Sequence, residues 1–186
     1  MGNGKLAELR CLSGPAPLLL CCDLQDDGLA ALRLAPDSER ALEACENLLA
    51  LWRRRFWPIA HLKRVSDRSW FNSHDGGRDW IATTRPRPGE LTFEHCLPSA
   101  YSSAHYVEYM RSMRDIGCIL AGLALEDTIV STAIEGFHRS HRYYLAADAV
   151  ACRQPVSGNA RAYRQVAIDI VQNFAGKLRT ADLCEA

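Results

Sequence analysis

The chain has 186 residues, 48% of them hydrophobic, with 22 basic and 22 acidic side chains. That length fits a single domain able to bury a sizeable core without staples, and zero net charge gives no electrostatic case for a nucleic-acid partner or an anionic membrane surface. The eight cysteines include no CxxC pair and no zinc-finger spacing with histidine, so they read as small buried hydrophobes in a reducing, cytoplasmic setting.

Residues 1–14 read as a loose lead-in to one domain over 1–186. No signal peptide is recognisable, and the longest apolar run, 18–22, is far too short to span a bilayer. That run (LLLCC) predicts a strand buried on both faces, hence a parallel sheet. It ends at Asp23, and a carboxylate at the carboxyl end of a central strand sits where open α/β sheets place their sites; the alternative is that Asp23 caps a turn. A helix follows over 38–56, with Asp37 and Ser38 as caps, a stripe of Leu42, Cys45, Leu49 and Trp52, and Arg53, Arg54 and Arg55 at the negative end of its dipole. The next strand covers 57–63 and ends on Lys63, one of only three lysines.

Residues 64–90 carry no sustained period but crowd together Trp70, Phe71, His74 and Trp80, which predicts a packed functional loop over a pocket. His74 and Asp75 have no further ligand at a supporting spacing, so neither metal nor cofactor is expected. A third strand spans 91–95 and ends on His95; a turn containing Tyr101 leads to a helix capped by Ser102 or Ser103 and closed by Gly117. A fourth strand over 118–123, a helix over 128–139, a fifth strand over 142–147 ending at Asp148, and a last helix over 159–175 complete the pattern, with a short strand near Leu178. In that last helix Tyr163, Val166, Ala167, Ile170 and Phe174 share one face, and Gly176 terminates it. Strands alternating with helices specify an α/β domain of three layers (α/β/α), Rossmann-like, around a mainly parallel sheet of five or six strands with right-handed crossovers. Asp23, His95 and the loop after Leu123 then meet at one carboxyl edge.

Four short motifs in order carry a resemblance over roughly 17–152: Asp23-Leu24-Gln25; Pro88-Gly89-Glu90 followed by Pro98-Ser99-Ala100-Tyr101; Leu120-Ala121-Gly122 through Thr132-Ala133; and Ala147-Asp148-Ala149. Together they resemble the isochorismatase-like hydrolases, also called cysteine hydrolases. The resemblance implies hydrolysis of a small molecule, a homodimer or higher assembly, and a cis peptide bond within 123–126. It also implies an Asp, Lys and Cys triad, from which this chain departs. Asp23 matches the aspartate, but His95, four residues before Ser99, stands at the lysine position, and Thr128, four before Thr132, stands at the cysteine position.

Threonine cannot be ionised as cysteine can, so a nucleophilic Thr128 needs a base, and His95 oriented by Asp23 is one arrangement; the other reading has Thr128 as a helix cap. A second route needs no nucleophilic side chain: isochorismatases cleave a vinyl ether by carboxylic-acid protonation and water attack, and Asp23 suits that role if burial raises its pKa. Lys63 and a cationic His95 are the candidates for the missing lysine's charge. None of the cysteines is expected to replace the nucleophile. Glu126 and Asp127 either meet a cationic or hydroxylated ligand or favour the helix start. The expected site therefore comprises Asp23, His95 and Thr128 for chemistry, with Gln25, Trp70, Phe71, Trp80, Tyr101 and Glu126 around a small-molecule substrate. The competing expectation is a catalytically inactive member that keeps the pocket for binding.

Overall fold

A computed structural model describes residues 15–25, 37–65, 79–113, 115–156 and 158–184. The lead-in and the positions of Trp70, Phe71, His74 and Asp75 lie outside the described residues. The strands are β1 (Leu18–Cys22), β2 (Ile59–Arg64), β3 (Leu91–His95), β4 (Cys118–Gly122), β5 (Tyr143–Val150) and β6 (Gly176–Leu178). The helices are α1 (Ser38–Arg55), α2 (Ala104–Ser112), α3 (Val130–His138), α4 (Ala160–Val171) and α5 (Thr180–Cys184).

The six strands form one sheet in the order β3-β2-β1-β4-β5-β6, and every paired neighbour runs parallel. The chain starts in the centre, winds outward to β3, returns to β4 and winds out the other way. The resulting switch point, between β1 and β4, is where such sheets open a crevice at their carboxyl edge. The central strands are continuously apolar because both faces are covered: all five residues of β1 and all five of β4 are buried. Leu18, Leu20, Cys22 and Leu120 pack toward α2, α3 and α4. Leu19, Cys21, Ile119 and Ala121 pack toward α1 and α5. Trp52 anchors the second layer at 0% exposure and donates its indole N–H to the Pro17 carbonyl at 2.9 Å. Truncating a buried tryptophan of this kind costs about 3–5 kcal/mol.

Several boundaries differ from the expectation, each for a local reason. β2 runs one residue past Lys63 and ends on Arg64, whose backbone is held by the Gln25 side chain. β5 continues through Asp148 to Val150, because the Asp148 carboxylate turns sideways to receive the Thr180 N–H at 2.9 Å and its hydroxyl at 3.0 Å, tying down α5. Neither Asp37 nor Ser103 makes a side-chain cap bond; Ser99 caps the turn before α2 through the Tyr101 N–H. α4 is shorter than its apolar pattern, and its buried residues are Ala167, Ile168 and Val171. The predicted stripe is instead largely in solvent: Tyr163, Val166 and Ile170 are exposed, as is Phe137 of α3. The periodicity was helical, but the sheet takes the neighbouring face. No helix among the described residues is long and apolar enough to cross a membrane.

Candidate active site

Asp23 follows the last residue of β1 with φ of 47°, a left-handed conformation that aspartate tolerates better than most residues. The turn throws its carboxylate sideways over the carboxyl ends of β2, β3 and β4. Such conformations persist where the surroundings over-determine them, and here four groups do so. From β3, His95 Nε2 lies 2.6 Å from Asp23 Oδ1. From the segment after β4, the Thr128 hydroxyl donates to Oδ2 at 2.6 Å. From β2, Arg64 Nε donates to the same oxygen at 3.3 Å. Backbone support comes from the Asp23 N–H, which donates to the Leu62 carbonyl at 3.2 Å.

Gly122 makes this approach sterically feasible. Its φ is +113°, and a Cβ there would lie 2.2 Å from the Cys22 carbonyl oxygen. The chain then passes through a cis peptide bond between Leu123 and Ala124, within the expected span. Leu125–Ile129 form a π-helical turn ahead of α3, with Thr128 inside it and fully buried. The hydroxyl of Thr128 makes no cap bond; it is committed to Asp23 and Arg64, so the helix-cap reading does not describe it. Thr132, one turn later, accepts the Ala100 N–H at 3.0 Å, which locks α3 to the segment following β3.

Donor and acceptor identities constrain where the protons sit. Arginine only donates, and Arg64 Nη2 is 2.5 Å from Thr128 Oγ1, so the single Thr128 proton points at Asp23. His95 Nδ1 lies 2.7 Å from the Leu97 carbonyl, which only accepts, and Nε2 faces a carboxylate. A proton on each ring nitrogen satisfies both acceptors, and the directions of the His95 and Asp23 pKa values favour that imidazolium form. Burial pushes the His95 pKa down, but the Asp23 charge and hydrogen bond outweigh it and leave the pKa raised. Burial likewise pushes the Asp23 carboxyl up, yet His95, Arg64 and Thr128 together hold it below its ordinary value. An ionised Asp23 beside a cationic His95 weighs against two of the arrangements read from the sequence. His95 is not placed to take the Thr128 proton, since the two bind opposite oxygens of Asp23. Asp23 is not a raised-pKa acid, because the cations around it overcome its burial.

Arg64 is the residue that sequence reasoning missed. Lys63 was one candidate for the missing lysine's charge, but side chains alternate along a strand, and Arg64 is the one on the Asp23 side, in register with His95 of β3. Gln25, 3% exposed, aims it: the Arg64 N–H donates to Gln25 Oε1 at 2.8 Å, and Gln25 Nε2 donates back to the Arg64 carbonyl at 3.3 Å. Gln25 thus positions Arg64. Trp80 forms a lone antiparallel bridge with Gln25 and packs edge-on to His61 with centroids 5.7 Å apart. Tyr101 turns away from Asp23 and joins a hydroxyl chain with Tyr143, Tyr106 and His141 beneath α2 and α3. Glu126 Oε1 accepts the Arg153 N–H at 3.2 Å, and Asp127 Oδ2 receives both Arg64 Nη1 at 3.0 Å and Arg153 Nη2 at 2.6 Å. The carboxylates beside Thr128 therefore meet this chain's own arginines.

The cysteines nearest the site are poor nucleophiles. Burial pushes the Cys22 thiol well up, and burial with the Glu126 charge pushes Cys152 up to about 12. No group of three or more His, Cys, Asp or Glu side chains among the described residues can hold a metal ion.

The family model described as the isochorismatase domain matches residues 17–182. Among solved structures, an isochorismatase from Pseudomonas putida superposes with a TM-score of 0.78 at 22% identity, covering 94% of this chain and 96% of that one. An isochorismatase family protein from Burkholderia thailandensis gives 0.73 at 18% identity, covering 91% and 94%. N-carbamoylsarcosine amidase from Thermoplasma acidophilum gives 0.68 at 19% identity, covering 89% and 96%. No curated protein matches the chain in sequence.

Proposed function

The chain belongs to the isochorismatase family, and we propose that within it the protein is a hydrolase of a small molecule whose acid-base centre is Asp23 and which uses no cysteine nucleophile. The observation carrying this reading is the convergence on one carboxylate of His95 and Arg64 from two strand ends and of Thr128 from the π-helical turn after β4. In the proposed cycle Asp23 acts as the base. It takes one proton of an attacking water while the hydroxide oxygen bonds to the substrate carbon. The same proton then passes to the departing group, and Asp23 returns to its anionic form. His95 supplies the positive charge that a lysine would supply, and Thr128, with its proton directed by Arg64, holds the Asp23 carboxylate in the orientation that meets the water. A threonine alkoxide formed at the expense of so weak a base is energetically remote, so water rather than Thr128 is the nucleophile.

A panel of vinyl ethers, amides and carbamates tests the reading. Turnover should be present in the natural chain and lost in Asp23→Asn; turnover that survives this substitution removes Asp23 from the chemistry. A second reading, a non-catalytic member that only binds, draws support from Arg64, which lies against Thr128 and Asp23 and completes their hydrogen bonding without a substrate. Binding without turnover, unchanged in Asp23→Asn, favours that alternative. We also propose self-association, consistent with the exposed Tyr163, Val166, Ile170 and Phe137; Val166→Glu should then lower the sedimentation mass, and an unchanged monomeric mass in the natural chain refutes it.

A further inference from the structure

Outside the Asp23 centre, a cavity of about 220 Å³ opens between α2 and the turn after α3, lined by Tyr101, Val107, Arg111, Arg139 and His141. None of these five takes part in the hydrogen bonding around Asp23. The lining brings together two guanidiniums, an imidazole and a phenol, with no carboxylate among them. Arg111, exposed in the last turn of α2, makes no hydrogen bond or ion pair among the described residues. Arg139 lies 4.7 Å over the Tyr101 ring. Its Nε and Nη2 both donate to one oxygen, Glu135 Oε1, at 3.2 Å and 2.6 Å, which leaves Nη1 to spare. The floor of the cavity is held from beneath. The buried Tyr101 hydroxyl lies 2.6 Å from His141 Nδ1 and 2.7 Å from the Tyr143 hydroxyl, which lies 2.7 Å from that of Tyr106. Each hydroxyl carries one rotatable proton, so the row can point either way. Pointing outward, it ends on a lone pair of His141 Nδ1; pointing inward, it accepts a proton from Nδ1 and ends on the Cys118 thiol beside Tyr106. His141 can therefore become cationic without stranding a buried donor.

We infer that Arg111, Arg139 and His141 form a binding site for a phosphoryl group, of free phosphate or of a small phosphate ester, beside the Tyr101 ring and apart from the Asp23 centre. The inference is independent of the hydrolytic reading. Three donor side chains reach the cavity from two elements, α2 and the turn after α3. They match a tetrahedral oxyanion with three free oxygens better than a planar carboxylate with two. The volume of about 220 Å³ holds such a group and leaves room for a short organic tail against Val107 and Tyr101. Two like charges lining one cavity also gain from an anion placed between them. Glu135 answers part of the Arg139 charge but does not line the cavity. Both arginines are exposed, so the attraction should weaken as salt rises. The hydroxyl row beneath Tyr101 fixes the floor in advance, which lowers the cost of ordering the site around its ligand.

Calorimetric titration of the full chain with inorganic phosphate and with phenyl phosphate, at constant ionic strength in chloride, tests the site. Saturable binding is expected, and Arg111→Met and Arg139→Met should each weaken it by about tenfold or more. Arg111 has no partner to lose among the described residues, so its variant keeps the test informative if Arg139→Met, which releases Glu135 and uncovers the Tyr101 ring, folds poorly. Tighter binding of phenyl phosphate supports the site with an ester as its ligand; equal or weaker binding supports it with free phosphate. Arg64→Met, in the Asp23 centre, should leave phosphate affinity unchanged. Phosphate should also shift the imidazole NMR signals of His141 and leave those of His95 in place. Absence of saturable binding, affinity untouched in Arg111→Met, affinity lost in Arg64→Met, or shifts confined to His95 overturns the inference.

Discussion

The protonation of His95 offers a direct trial of the site, because it can be read without a substrate. Replacing Asp23 with Asn keeps the shape and removes the charge. Asn Oδ1 can still accept from Thr128 and Arg64, which leaves Nδ2 facing His95 Nε2. That arrangement requires a lone pair on Nε2, so His95 should become neutral, with its proton on Nδ1 toward the Leu97 carbonyl. The substitution exchanges charge-assisted bonds at 2.6 Å for ordinary ones, while Arg64 keeps Asp127 at 3.0 Å. The expected loss of stability is about 1.5–3 kcal/mol, below the figure for stranding a buried charge, since His95 can shed its proton. The pH dependence has a defined sign. Asp23 is depressed, so its contribution is present above its ordinary value of 3.8 and lost as pH falls through the folded value. His95 is raised, so its contribution is complete below 6.5 and lost as pH rises through the folded value. The stability difference between the natural chain and Asp23→Asn should therefore be largest between those limits and shrink at alkaline pH. Nitrogen-15 NMR of the imidazole, with urea titrations at pH 5.5 and 9, measures both. An unprotonated Nε2 in the natural chain at pH 6, or an imidazolium persisting in Asp23→Asn, refutes the charge assignment.

Thr128→Val removes a hydroxyl that both accepts from Arg64 and donates to Asp23; it should destabilise the chain by about 1–3 kcal/mol in denaturant titration and reduce turnover with little change in KM. Gly122→Ala would place a methyl 2.2 Å from the Cys22 carbonyl, in a positive-φ conformation, so a loss of about 3 kcal/mol or more, or failure to fold, is expected by circular dichroism. Glu90 receives Arg53 at 2.7 Å and His61 at 2.8 Å. Burial raises its pKa, but these partners and the Arg87 N–H bring it down to about 2. Its stabilisation is thus present above its ordinary value of 4.5 and lost as pH falls toward 2, and Glu90→Gln should flatten the acid limb of stability over that range.

The alternation of apolar runs with amphipathic stretches was enough to place β1 and β4 almost to the residue, because burial on both faces of a parallel sheet leaves a purely local signature in the chain; β3, an edge strand with an exposed face, was placed by its alternation instead. The same alternation brought Asp23, His95 and Thr128 to one edge, since strand ends in such a sheet share a side. The last helix misled for the complementary reason. Its apolar stripe is genuine, yet a local period cannot say which face the sheet covers, and Ile168 and Val171 were taken inward while Val166 and Ile170 were left out.

From the chain alone came the mainly parallel architecture, the acidic end of β1 and, through the resemblance, the expectation that His95 and Thr128 stand at the lysine and cysteine positions. Tertiary structure decided what those substitutions mean. Whether Lys63 or Arg64 serves the site turns on one residue of strand length and the alternation that follows from it. Whether His95 is a base or a cation turns on the Leu97 carbonyl behind it. The contacts that define the centre join residues 41, 72 and 105 positions apart. Pairings at such separations are set by sheet order and register, which no local pattern encodes.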